Sequence, residues 1–263
     1  GVSINGGGTV GLDSITLSVA AGERHDGTDS TGARVLQTAN WTGNILSINS
    51  NRLGTVEWLR FDCGGNENRS SSTAIVEAKA TAASSGYHKT VRNCLIYHAD
   101  DDKATSAINI SDYRTGKTIT NNIIYRIGLV GYYPTYGIEV GSLTGNGEVY
   151  VYNNTIHNVR AATTTANRGV GISASDDDAD LFVKNNLVTD CGNNSGDQCF
   201  LDTTYSSASF DYNASTDTTA KGTNSLNSIT SANQYVSNTE GSEDLHLKSN
   251  ADALRAGVDL GTT

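Results

Sequence analysis

The sequence predicts an all-β chain folded as a single-stranded right-handed parallel β-helix, a solenoid of stacked strand-and-turn coils. Three observations lead there. A short apolar pattern with paired asparagines returns at near-constant spacing, and a second alternating strand lies about halfway through each period. The composition, finally, is that of strands and turns. The 263 residues include 28 glycines, one proline and no methionine, and only 17% are charged. β-branched runs cut by Gly, Asn and Asp mark short strands and their turns. A solenoid of this length needs no large globular core, because each coil buries its apolar face against its neighbours.

The repeat reads VRNCLIYH at 91–98, ITNNIIYR at 119–126, VYNNTIHN at 151–158 and VKNNLVTD at 183–190. FDYNASTD at 210–217 is a weaker copy, and VEWLRFDC at 56–63 an earlier one without the asparagine. Aligned on the leading apolar residue, Asn93, Asn121, Asn153 and Asn185 coincide at separations of 28, 32 and 32 residues. A fixed period of this size marks a repeat architecture. AINIS at 107–111, GIEVG at 137–141 and GVGIS at 169–173 supply the second strand of each coil. Alternation then fills a narrow interior with Val, Ile and Leu. The intervening segments are polar and Gly-rich with no helical period, against a β-α-β arrangement. A propeller or sandwich also uses short strands, but stacked identical residues favour in-register coils.

Asparagine suits a sharp corner because it tolerates left-handed backbone angles. Stacked amides can also hydrogen-bond from coil to coil. Asn93, Asn121, Asn153 and Asn185 are therefore expected to form a structural ladder, and the asparagines that follow three of them are read as structural too. Trp58 stands where the ladder asparagine would be, as a packing plug.

The chain reads as one domain over 1–263. Its segment 203–243, rich in Ser, Thr and Asn, is expected to be a looser final coil or a capping loop, since an open last coil exposes edges and core. With Gly1 at the start and no signal segment, the chain reads as a piece of a longer precursor. The 28 acidic and 18 basic residues give a formal charge of −10. That field opposes a phosphate-backbone partner. No apolar run approaches the ~20 residues of a spanning helix, so membrane insertion is not expected. Cys63, Cys94, Cys191 and Cys199 allow two disulfides: Cys191 with Cys199 across one loop, and Cys63 with Cys94 across neighbouring coils. Four reduced, buried thiols are the equal alternative. No spacing supports a zinc site.

The NN-x-I/V repeat, the opening GVSINGGGTVGLDSITLSVAAGERHDG and the closing EDLHLKSNADALRAGVDLG resemble the pectate-lyase-like right-handed β-helix superfamily. More narrowly, they are similar to its repeat proteins of the secreted bacterial and phage structural type. The resemblance implies a fold and an extracellular, cell-surface or virion-surface setting. In lyases of this superfamily, Ca²⁺ on strand-borne carboxylates neutralises a substrate uronate while an Arg or Lys abstracts the α-proton.

Asp176, Asp177, Asp178 and Asp180 are the candidate Ca²⁺ ligands, with Arg160 and Arg168 nearby. Hard oxygen ligands converging from a loop can bind the ion, but the EF-hand spacing is missing and a solvated acidic turn is the plainer reading. Asp100, Asp101 and Asp102 fall at a different place in the repeat. His98 and His157 differ by one in their repeat offsets, which points them to opposite faces. Tyr132, Tyr133 and Tyr136 surround the only proline and offer flat faces for a sugar or a protein partner. A self-packed loop is the alternative. No residue set stands out as catalytic. The expected function is a non-catalytic structural or surface-recognition module that associates with itself or with a virion or envelope assembly, without a required cofactor. A Ca²⁺-dependent polysaccharide lyase or related glycan-active enzyme is one alternative, and a glycan-binding adhesin is the other.

Overall fold

In the computed structural model the chain is a parallel β-solenoid, the fold class that the sequence predicts. The residues described are 2–3, 15–37, 43–48, 53–64, 73–80, 88–99, 105–113, 116–128, 134–144, 148–161, 168–174, 180–192, 196–202 and 209–261. Among them, three parallel sheets of seven strands each run along the stack. Sheet A includes Thr73–Ala80, Thr105–Tyr113, Thr135–Thr144 and Gly169–Ala174. Sheet B includes Lys89–Arg92, Lys117–Thr120, Glu148–Tyr152 and Asp180–Lys184. Sheet C includes Leu95–Ala99, Ile123–Ile127, Thr155–Val159 and Leu187–Thr189. The chain visits A, B and C in turn and returns to A one coil further on. Each quoted repeat therefore spans two strands and the corner between them.

In-register pairing stacks like on like. Val76, Ile108, Ile138, Ile172 and Phe200 line up inside sheet A. Val91, Ile119, Val151, Val183 and Phe210 do so inside sheet B, and Ile96, Ile124, Ile156 and Val188 inside sheet C. All belong to one buried core, each side chain contributing about 1.5–3 kcal/mol of burial. Inside the sheet A strand Gly169–Ala174 one position leaves no room for a side chain. A Cβ on Gly171 would lie 2.1 Å from the Val188 side chain and 2.6 Å from the Cys199 carbonyl oxygen, so only glycine fits.

At the B-to-C corner the two asparagines divide the two tasks. Trp58, Asn93, Asn121, Asn153, Asn185 and Tyr212 occupy one row, with φ between 52° and 63°. They turn the chain, and they do not form the ladder expected of Asn93, Asn121, Asn153 and Asn185. The ladder belongs to the next residues, Asn122, Asn154, Asn186 and Asn213, each 1% exposed. Asn154 Oδ1 accepts from the Asn122 backbone N–H (3.1 Å) and amide (3.0 Å). Its Nδ2 donates to the Ile119 carbonyl and to Asn186 Oδ1, both at 3.0 Å. The left-handed residue projects its side chain out of the corner, and only the following one points into the solenoid.

All four cysteines are free thiols. Leu95, directly after Cys94, pairs with Arg60, and Cys63 lies beyond the far end of that strand. The two are separated by roughly 13 Å of strand, which excludes the Cys63–Cys94 bridge expected from their one-coil spacing. Cys191 and Cys199 sit as neighbouring thiols beside Gly171, where burial pushes the Cys191 thiol up.

Two lysines are stacked in the interior row of sheet B. Lys89 and Lys117 pair in register and are 1% and 0% exposed, and Lys117 Nζ donates to the Ser111 carbonyl at 2.8 Å. Burial lowers the Lys89 pKa from 10.5 to about 8. Below pH 8 the folded protein carries the full cost of that buried charge. As pH rises from 8 to 10.5 the folded state gives up the proton while the unfolded chain keeps it, so stability rises, by about 3 kcal/mol. Tyr97 acts oppositely: burial and then Asp62 push its phenol from 10 up to about 12, so above pH 10 the unfolded state ionises first and stability falls. Thermal melts from pH 7 to 12 are therefore expected to show a maximum near pH 10. A monotonic fall from pH 7 would contradict the burial of Lys89.

Of 203–243, residues 203–208 lie outside the described residues and 209–215 carry the last strands of sheets B and C. Residues 216–229 close the end. The Cys199 N–H donates to Asp217 Oδ2 at 2.7 Å, the Phe200 N–H to Thr219 Oγ1 at 2.9 Å, and Leu226 bridges to Ala214. The chain then folds back as a strap over the outside of sheet C, through the helix Ser231–Gln234 and the antiparallel pair Tyr235–Ser237 and Asp244–Leu247. There Leu95, Tyr97, Tyr125, Leu187, Tyr235 and Leu245 form a second apolar cluster. Among the described residues no helix is long and apolar enough to cross a membrane.

Candidate functional site

The outer face of sheet A gathers polar side chains that lie far apart in sequence. Alternation turns every second residue of each strand outward, so Ser47, Glu77, Asn109, Glu139 and Ser173 form one in-register row across five coils. Glu77 accepts hydrogen bonds from Asn44 Nδ2 at 2.7 Å and Ser47 Oγ at 3.1 Å. Glu139 accepts from Asn109 Nδ2 at 2.8 Å and from Ser106 Oγ. The glutamates stand two strand spacings apart, about 9.6 Å, with the Asn109 amide between them.

Tyr136 lies on this face in register with Ser106 and Val170. It is half-buried. Burial pushes its phenol up, Glu139 adds to the shift, and Arg168 opposes it. Connections from sheet C to sheet A run from five residues (100–104) to ten (63–72), whereas every B-to-C corner after the first connection (18–33) has two. Length variation thus concentrates on the rim of sheet A, where a rigid scaffold carries its binding residues most readily.

The other candidates are dispersed. Asp180 is exposed and opens a strand of sheet B, in register with Glu148, on a different sheet from Glu139. Asp176, Asp177 and Asp178, Asp100 to Asp102, and Tyr132 and Tyr133 lie outside the described residues. Among the described residues no three His, Cys, Asp or Glu side chains are gathered as a metal-binding group. Ca²⁺ takes 6–8 oxygen ligands, and the Glu148–Asp180 pair supplies only a fraction of them. Arg168 is exposed and Arg160 partly buried.

The two histidines fall in different rows. His157 is in register with Tyr125 and Thr189, beneath the strap. Its Nδ1 lies 2.9 Å from Thr189 Oγ1 and its ring packs edge-on against Tyr235 at 5.5 Å. Burial holds the imidazole below its ordinary range, with Asp190 pulling the other way. His98 shares the left-handed row of Arg126, Asn158 and Asp190.

Glu77 and Glu139 were not singled out from the sequence, although Asn109 and Glu139 are the central residues of AINIS and GIEVG. Their register partner is Ser173, the last residue of GVGIS, so matching these segments by their first letters slips the third by two. Comparisons with protein-family models, curated proteins and solved structures returned no match.

Proposed function

We propose that this chain is a non-catalytic surface-recognition solenoid, a rigid module displayed on a virion, filament or cell envelope. The observation that carries this reading is the state of its acidic face. Both glutamates of sheet A are engaged by neighbouring side chains of the coil lattice, and an amide separates them. A surface pre-bonded in this way is stiff and patterned, and suited to holding a partner. The likeness of the repeat to secreted and phage structural members of the pectate-lyase-like superfamily supports the setting.

One observation favours a second reading, a glycan-active enzyme. The backbone positions of the two glutamates are about 9.6 Å apart, just above the roughly 6.5–9.5 Å found between the carboxyl groups of inverting glycosidases. Incubation with acidic and neutral polysaccharides, with Ca²⁺ and with chelator, tests both. The expected result is no new reducing ends and no unsaturated-uronate absorbance. Product formation that Glu139→Gln abolishes would overturn the non-catalytic reading.

A further inference from the structure

The B-to-C corner carries a feature that coil-stacking does not require. Asn122, Asn154, Asn186 and Asn213 hold the coils together, whereas the left-handed row beside them faces outward. Any residue that tolerates the backbone would turn the corner there, and glycine would do so with least strain. The row instead presents Trp58, then Asn93, Asn121, Asn153 and Asn185, then Tyr212, one residue per coil. Trp58 closes one end as a packing plug, its ring set against the core with the Arg24 guanidinium 4.6 Å above it and His25 beside it. From Asn93 to Tyr212 the row is a track of about 19 Å, amides followed by one aromatic ring.

The strap, together with residues 25–27 of the first coil, supplies the opposite wall. Trp58, Asn93, Asn121 and Ile123 face His246, Asp26 and His25 across a recess of 330 Å³. Further along, Asn153, Asn185 and Tyr212 face Leu247, Arg255 and Val258 across one of 440 Å³. One rung shows how the row engages an occupant. Asn185 Nδ2 donates to the Val258 carbonyl at 2.8 Å, and its Oδ1 accepts from the Val258 N–H at 3.0 Å. The amide thus reads a donor and an acceptor together, while Asn121 and Asn153 on the same row are exposed.

The geometry points to this groove as a binding site for an extended, neutral polysaccharide. The inference rests on the recognition reading above and names its ligand and its place. Three features select the class. Amides carry donor and acceptor together and so match sugar hydroxyls, which do both. The Tyr212 ring at one end of the track suits the apolar face of a sugar ring. A rung per coil repeats at about the length of one hexose unit, whereas an extended peptide presents like groups every second residue, roughly 6.7 Å, and falls out of step. The net charge of −10 disfavours polyuronates.

Affinity electrophoresis of the intact chain through gels containing a neutral glucan, a xylan or a galactomannan, with polygalacturonate and alginate as acidic counterparts, tests the site. Retardation by at least one neutral polymer is expected, weakened about tenfold in Tyr212→Asn and in the Asn121→Gly/Asn153→Gly pair. These changes keep residues that accept the left-handed backbone, and Thr118→Ala, on sheet B, should bind as the parent does. Unfolding midpoints of each variant separate lost binding from lost fold. Retardation that these variants leave intact, or that Glu139→Gln alone removes, overturns the groove and leaves recognition standing. Retardation by the acidic polymers only overturns the neutral class, and none by any polymer overturns the groove while leaving the recognition reading, which names no glycan, to stand.

Discussion

Replacing Asn154 by alanine is expected to destabilise the protein by about 4 kcal/mol, measured as the loss in unfolding free energy in denaturant. The amide has two partners on each side. Without it, the Asn122 N–H is left unpaired inside the solenoid, the Ile119 carbonyl loses its side-chain donor, and the Asn122 and Asn186 side chains each lose a partner. An orphaned buried group costs about 1–3 kcal/mol, and relaxation of the corner recovers part of the total. The neighbouring Asn153 gives the contrast. Its φ of 55° makes Asn153→Ala cost about 1–2 kcal/mol in backbone strain, while Asn153→Gly should be close to neutral. Equal losses for Asn153→Ala and Asn154→Ala would mean that the two residues do not divide corner and ladder as described.

Tyr235→Ala should detach the strap without unfolding the coils. The Tyr235 ring is 1% exposed, its hydroxyl lies 3.0 Å from Thr189 Oγ1, and its edge meets His157. Truncating a buried aromatic side chain to alanine costs about 3–5 kcal/mol, here concentrated in the contact between strap and sheet C. Hydrogen exchange is expected to show lost protection across 230–261 while the strands around Ile124 and Ile156 stay protected. The His157 imidazole, released from burial, should titrate closer to its ordinary value. Uniform loss of protection in every coil would show instead that strap and solenoid fold as one unit.

The solenoid was legible because a repeat reports its own period: thirty-odd residues of strand, corner and strand recur, and stacking like on like needs no further information. Which asparagine faces inward was not legible, because the two are adjacent and differ only in the sign of a backbone angle. Glu77 and Glu139 were hidden for a different reason. A single glutamate within an apolar strand looks like any solvated position until register places it beside Asn109. The strap had a readable trace that went unused. LIY at 95–97 and IIY at 123–125 are apolar at three consecutive positions where a half-exposed strand should alternate. An outward Leu95, Tyr97 or Tyr125 therefore signalled that something covers sheet C. What covers it could not be read, because Tyr235 and Leu245 have no repeat to mark them.

The strap also bears on how the particle would respond to pulling. The hydrogen bonds between coils run along the long axis, so tension applied at the two ends would load one coil junction at a time and peel them in succession. The strap runs beside that axis, touching the first coil where His246 meets Gly27 and a late one where Asn185 grips Val258. It therefore acts as a tie rod in parallel with the junctions, spreading the load over several coils before any of them opens.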